Sequence, residues 1–358
     1  MKMYGGNQNK ENTPKKKKKT SRAKKVWITV LLILVAIGCT IGGLAYFYVR
    51  PPEIPKEEKQ PDSEKANKTN SDLIVGDELK IMDSERKENF FNILIVGTDL
   101  NGYHTDSIMI ASFDVTNHKV NVLSVPRDTI VNVKRTNKKL NAAYAVTGEP
   151  GNVDKLYEEL ESIVGFQPDK YVIVSTQGFV DMIDAIGGVT VDVQRNMDYE
   201  DPTQDLYIHI KKGLQTLNGY DSMCFMRYRY GYAEGDVGRV RAQQQFVKAL
   251  MEKMIRPETL GKLPELCDIV MKNVKTDLSV GNLVWLGTEA LKMNLETDLN
   301  TYILPGEGQY YKGISYFIPY EHKTLDMVNE VFNPYVDPIE DLNIIDFERL
   351  SGIKLGNG

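Results

Sequence analysis

The sequence predicts an α/β protein: a single extracellular domain with a central mixed β-sheet covered by helices, preceded by one transmembrane helix. Three observations predict it. An uncharged apolar run, Val26–Val49, follows a strongly basic N-terminus. Beyond residue 88, apolar runs of strand length alternate with stretches of helical periodicity. A hydrophobic content of 42% with 26% charged residues over 358 positions is that of a chain able to bury a sizeable core.

Residues 1–25 carry ten basic residues against Glu11, a net of +9, which leaves −14 for the remainder of a chain whose formal net charge is −5. That balance excludes a nucleic-acid surface on the main body. The Val26–Val49 run, at about 1.5 Å per residue, makes a helix long enough to cross a bilayer core with some tilt. It is longer than the roughly 7–15 apolar residues of a cleaved signal peptide and ends in Tyr46, Phe47 and Tyr48, the aromatics expected at a membrane interface. Basic residues from Lys15 to Lys25 place the N-terminus in the cytoplasm and residues 50–358 outside. Residues 50–88, rich in Pro, Lys, Glu, Asp and Ser, read as a semi-extended stalk. The domain proper is expected over 89–335, with a C-terminal tail over 336–358.

Within the domain, Phe90–Asp99, Asp106–Val115 and Lys119–Asp128 read as strands, the last two joined by a turn at Thr116–His118. Val153–Phe166 has helical periodicity and a glycine stop. Lys170–Thr176 reads as a buried strand, Gln177–Gly188 as a helix closed by two glycines, and Val189–Val193 as a further strand. A long helix runs from near Val237 to Arg256 and stops at Pro257. Strands alternating with helices predict a sheet covered on both faces, with ligands at the strand ends. No internal repeat and no zinc-type Cys/His spacing is present. Cys39 falls in the apolar run, and Cys224 and Cys267 form either a disulfide or buried thiols.

Two groups of residues carry candidate chemistry. Asp99 and Asp106 flank a six-residue loop between strands, where they either face one another as a hard-cation site or simply end a strand and cap a turn. The stretch "CFMRYRYGYAEGDVGRVRAQQQ" holds Arg227, Arg229, Arg239 and Arg241. Read as a strand, its first part points Arg227 and Arg229 to one face. Arg239 falls in the first turn of the long helix, where free N–H groups favour an anion, and Gln243 lies one turn further on the same face. Arg127, after a proline at the end of the third strand, adds another planar fork. These guanidiniums serve either surface salt bridges or a polyanionic ligand. Their setting among Phe225, Tyr228 and Tyr230 favours the polyanion, because desolvation demands a strong anionic partner.

The segments "ILIVGTD", "TDSIMIASFD", "LSVPRD", "KLNAAYA", "GFVDMIDAIGGVTVDV" and "MRYRY…GDVGRVRAQQQ", in that order, resemble the LytR-CpsA-Psr family of Gram-positive cell-envelope phosphotransferases. The resemblance runs from about Phe91 to Phe332. It implies that Asp99 and Asp106 hold Mg²⁺, with Mn²⁺ as a substitute, and that Arg127, Arg227, Arg229 and Arg239 grip the pyrophosphate of a polyprenyl-linked donor. Lys139, Asp236 and Gln243 match further polar positions of that site, Asp236 among the catalytic ones. A hydrophobic tunnel for the polyprenyl chain is implied as well. Phe179, Val180, Ile183 and Ile186 are candidates for its wall, or for ordinary core packing. This chain departs from the family pattern in having His104 and Thr105 before Asp106, and Ala242 before Gln243 with an arginine at 241 instead. One helical position is a rotation of about 100°, so Arg241 points elsewhere.

The function so implied is transfer of a glycopolymer (teichoic acid, capsular or related polysaccharide) from polyprenyl pyrophosphate to peptidoglycan, forming a phosphodiester and releasing polyprenyl phosphate at the outer face of the membrane. Two alternatives stand beside it: a polyprenyl-pyrophosphate hydrolase with the same site and water as acceptor, and a non-catalytic membrane-anchored regulator. A tail of about 25 low-complexity residues cannot fold a DNA-reading domain, which weighs against transcriptional control.

Overall fold

The structure, a computed structural model, describes residues 49–54 and 84–356 apart from 100–101, 104, 147, 149–150, 203–205, 229, 233–235, 255, 257–258, 260–265, 267–268, 270–271 and 295–296. Strands β1 (Phe90–Thr98), β2 (Thr105–Asp114) and β3 (Lys119–Val125) form an antiparallel meander. Its second turn closes on His118, whose φ of 53° is the left-handed conformation such a tight connection requires. Helix α1 (Val153–Val164) starts where the Asn152 side chain accepts the Lys155 N–H and ends at Gly165, φ 76°. A Cβ at Gly165 would lie 2.7 Å from Ile339 Cγ2, so glycine serves both the turn and the packing against the C-terminal segment.

Strand β4 (Lys170–Ser175) runs parallel to β1 and leads into α2 (Thr176–Ala185), capped by Ser175 Oγ accepting from Gly178 N at 3.0 Å. Then come β5 (Val189–Val193), β6 (Met197–Asp201), β7 (Leu206–Ile210), β8 (Gly213–Leu217), α3 (Gly219–Arg227) and α4 (Asp236–Met254). The remainder comprises β9 (Val274–Thr276), α5 (Val280–Ala290), β10 (Leu299–Ile303), the hairpin β11 (Gly306–Tyr311) and β12 (Ile314–Pro319), α6 (Glu321–Met327) and α7 (Phe347–Ser351).

The central sheet has six strands in the order β10-β3-β2-β1-β4-β9 and mixes parallel with antiparallel pairs. Alternation along β1 sends Leu94 and Val96 to one face, where Leu156, Leu160 and Ile163 of α1 cover them. Ile93 goes to the other face, against Leu278 and Leu286. A second core lies under β5–β8, where Val189, Val191, Leu206 and Ile208 pack with Ile183, Phe225 and Phe246.

Several expectations need correction. Val189–Val193 is a strand but pairs with β8 in a separate two-stranded sheet. Strand β4 is mostly half-buried, with only Ile173 fully enclosed. Arg227 ends a helix, because Asn218 caps α3 through the Asp221 N–H and Tyr228 leaves it extended. The expected tail 336–358 is folded in: Ile339 and Leu342 join the main core, and Ile345 and Phe347 pack under β12. The expected stalk is attached at both ends. Pro51 O accepts from Asn282 Nδ2 at 3.0 Å. Arg86 pairs with Asp169, and Lys87 N donates to Pro334 O at 2.8 Å. Those contacts span many sequence positions, which is why local composition did not reveal them. The apolar run at 26–49 lies, but for Val49, outside the described residues, and among the described residues no helix is long and apolar enough to cross a membrane.

Candidate active site

The carboxyl ends of β1, β3 and β4 and the start of β2 meet at one end of the central sheet. Such ends collect ligand sites in α/β sheets. Here they floor a cavity of about 490 Å³. Thr98 and Ser175 sit side by side in parallel register, and the N-terminus of α2 opens on the cavity through Ser175 and Thr176.

Asp106 enters by a register shift. Gly97 pairs with Ser107 and Thr98 with Thr105, which leaves Asp106 as the extra residue of a bulge. A bulge turns an otherwise alternating side chain toward a site. A Cβ at Gly97 would meet Ser107 Oγ at 2.7 Å, so the glycine admits the Ser107 hydroxyl to the same wall. Asp99, one residue past β1, accepts the Tyr103 N–H at 2.9 Å and also lines the cavity.

Arg127 follows β3 through Pro126, and its guanidinium is bonded to the Asp106 carboxylate. Its Nε is buried without a hydrogen-bond partner among the described residues, the carboxylate of Asp128 standing off at 3.9 Å. A buried, unsatisfied, permanently charged donor beside a cavity is what an anionic ligand would relieve. Lys139 is close by but not on the cavity wall; it pairs with Asp128 at 3.1 Å. The loop bearing both is shaped by Arg135, which forks onto buried Glu159 and donates to Lys139 O at 2.9 Å. Burial pushes the Glu159 carboxyl above the usual range, against the pull of Arg135.

From the other side, α3 contributes Met223, Met226 and Arg227, and Gln243 of α4 donates to Met226 O at 2.8 Å. Gln243 thus lines the cavity while tying two helices together. Asp236 and Arg239 lie in the first turn of α4, as the sequence implied, but their side chains are outside the described residues, as is all of Arg229.

The four expected tunnel residues divide. Phe179 reaches the cavity, whereas Ile183 and Ile186 are fully enclosed in the second core. Val180 is half-buried, with its backbone against Gly219 of α3. Ile183 and Ile186 therefore pack the core, and Phe179 borders both that core and the cavity. The aromatics near the arginines also differ among themselves: Phe225 and Tyr228 are buried, but Tyr230 is 53% exposed.

Sequence reading missed Thr98, Ser107, Asn141, Ser175, Tyr199, Leu206, Met223 and Met226, all on the cavity wall. Ser107, directly after Asp106, carried a local signal. Thr98 and Met226 likewise adjoin Asp99 and Arg227, whereas Asn141, Ser175, Tyr199, Leu206 and Met223 carried no motif of their own. Tyr230 beside it, together with burial, pushes the Tyr199 hydroxyl up to about 12. Among the described residues no group of three or more His, Cys, Asp or Glu side chains is placed to hold a metal ion. Two carboxylates at one cavity suit a hard cation that takes the rest of its shell from water and phosphate oxygens, so Asp99 and Asp106 are the residues here that fit Mg²⁺.

The family model described as LytR_cpsA_psr matches residues 56–333. The chain belongs to that family. It is 30% identical over 231 residues to the regulatory protein MsrR of Staphylococcus aureus, covering 63% of this chain and 67% of that protein. It is 30% identical over 306 residues to TagU of Bacillus cereus, a polyisoprenyl-teichoic acid–peptidoglycan teichoic acid transferase, covering 84% of this chain and 95% of that one. The crystal structure of Bacillus subtilis TagV superposes with a TM-score of 0.57 at 28% identity, over 68% of this chain and 95% of TagV. The α/β fold with its mixed central sheet is thus that of the LytR-CpsA-Psr proteins.

Proposed function

We propose that this chain transfers a glycopolymer from a polyprenyl pyrophosphate carrier to peptidoglycan. The observation that carries the reading is the meeting of Asp99, Asp106, Arg127 and Arg227 on one cavity whose wall also holds Phe179, Leu206, Met223 and Met226. Charged and apolar groups on one cavity suit a ligand with a pyrophosphate head and a hydrocarbon tail. The names of the relatives TagU and TagV, both teichoic acid transferases, support the same reading.

Bound Mg²⁺ would neutralise pyrophosphate charge and hold it for in-line attack. Everything else falls to the side chains. Arg127 offers its unsatisfied Nε to phosphate oxygens, and Arg227 adds a second guanidinium from the end of α3. The implied Arg229 and Arg239 would complete the clamp. A peptidoglycan hydroxyl attacks the phosphorus on the sugar side and loses its proton. The bond to the bridging oxygen breaks, polyprenyl phosphate departs with that oxygen, and a phosphodiester joins polymer to wall. The transferred phosphoryl group is already activated, so no nucleotide enters. The basic segment 1–25 and apolar run 26–49 support anchoring at the cell membrane with the catalytic body outside.

The test is a reconstituted reaction of purified protein, lipid-linked polymer, peptidoglycan oligomers and Mg²⁺, with products identified by mass. A joined phosphodiester product is expected. Polyprenyl phosphate with free polymer phosphate would instead mean a hydrolase. No turnover at all would favour the regulatory role that MsrR's name assigns to that relative.

A further inference from the structure

Tyr230 is unusual on this cavity wall in being a large aromatic side chain left 53% exposed. It is also held rigidly. One face stacks on Tyr199 of β6, with centroids 4.3 Å apart and 24° between planes, and its edge meets Tyr228 at 6.4 Å and 66°. Directly after it, Gly231 turns the chain at φ 71°, and the Arg195 guanidinium lies 3.0 Å from where a Cβ would stand. Arg195 in turn lies over Tyr232, 5.5 Å from the ring centroid. Tyr199 is itself fixed by Asp201, whose carboxylate accepts its hydroxyl at 3.4 Å. Backed, edged and anchored, Tyr230 offers its remaining face at little further entropic cost.

The chemistry of that face narrows the ligand. Aromatic faces are electron-rich and attract the slightly positive C–H groups of a pyranose ring, while the ring hydroxyls point outward to polar neighbours. Asp201 supplies a carboxylate beside the stacked pair, and a carboxylate accepts hydrogen bonds from adjacent sugar hydroxyls. A hydrocarbon chain has no use for that carboxylate and is served by Phe179, Leu206, Met223 and Met226. The donor carries hydrocarbon on one side of the pyrophosphate and sugar on the other. We propose that Tyr230, backed by Tyr199, is the stacking platform for the donor sugar adjoining the pyrophosphate, and hence a specificity-determining residue. The assignment rests on the transferase reading above.

The test compares two water-soluble ligands with Mg²⁺ present: a short-chain prenyl pyrophosphate, and the same compound bearing one N-acetylhexosamine. Affinities are measured by calorimetry for wild type, Tyr230→Ala and Tyr230→Phe, with thermal melting as the check on folding. Tyr230→Ala should weaken the sugar-bearing ligand about tenfold, the scale of one stacking contact, and leave the sugar-free ligand within twofold. Tyr230→Phe, which keeps the ring, should bind both as wild type does. Equal weakening for both ligands, or none for either, would overturn the platform while leaving the transferase reading intact. A wild-type protein that binds neither ligand would overturn both together.

Discussion

The guanidinium of Arg127 is bonded to the carboxylate of Asp106 on the wall of the cavity. Each group is thereby neutralised by the other, at side-chain exposures of 21% and 30%. A pair this accessible contributes little to stability, about 0–1 kcal/mol. On the proposed reading its value lies in exchange. A cation arriving with pyrophosphate would take over the carboxylate and free the guanidinium for the phosphate. Asp106→Ala and Asp99→Ala should therefore each lower transfer by about a hundredfold or more, the scale of one transition-state contact. Their melting temperatures should stay within a few degrees of wild type. Near-normal activity in either variant with Mg²⁺ chelated would remove the metal role.

Arg135 and Glu159 behave in the opposite way. Glu159 has a side-chain exposure of 0% and its fork partner one of 18%. Removing one member strands a buried charge, a loss of about 3–5 kcal/mol. Arg135→Met should lower the melting temperature by roughly 2–4 °C for each kcal/mol. Because Arg135 also holds the Lys139 carbonyl, the folded fraction should lose activity too. Replacing both residues by methionine should recover much of the stability. Failure of that recovery would mean that the loop is held by other contacts.

Cys224 is buried, donates its thiol toward Tyr207 O at 3.7 Å, and has its pKa pushed up to about 11 by burial. The thiolate is the reactive form, so it should resist iodoacetamide at pH 8 in the native protein. Denaturant without reductant should expose it to labelling, located by peptide mass. Labelling that requires reductant as well would show a disulfide.

Arg239 and Arg241 provide an internal comparison on α4. Arg239 falls in the first turn, and Arg241 has an exposed side chain. Arg239→Lys keeps the charge but loses the planar fork and should impair transfer by about a hundred- to a thousandfold. Arg241→Ala should stay near wild type in specific activity. Equal effects at the two positions, or losses that only track melting, would defeat the clamp assignment.

Much of this site was legible because strand ends are legible. Asp99 and Arg127 follow apolar runs whose strand length marks β1 and β3, and the loop to Asp106 is short. The bulge that turns Asp106 was not legible, since a register shift depends on the partner strand. Arg227 misled: the local pattern around it alternates as a strand does, but the Asn218 cap and the close approach of Gly219 to Val180 select a helix. Tyr199 and Leu206 carry no motif and reach the cavity only because β6 and β7 form a hairpin beneath it. The segment after 335 looked like a tail because nothing nearby in sequence receives it. Ile339 and Leu342 fill the space that Gly165 leaves open, some 170 positions away.

The cavity's role as the pyrophosphate site is tested most directly by equilibrium titration of a short-chain prenyl pyrophosphate into wild type and Arg127→Ala, with and without Mg²⁺. Wild type should bind with Mg²⁺ and at least tenfold more weakly without it, since Asp106 then keeps its hold on the Arg127 guanidinium and the Asp99 carboxylate repels the anion. Arg127→Ala should lose at least tenfold with Mg²⁺ present. Binding that is indifferent both to Mg²⁺ and to the loss of Arg127 would place the pyrophosphate elsewhere on the protein and contradict the assignment.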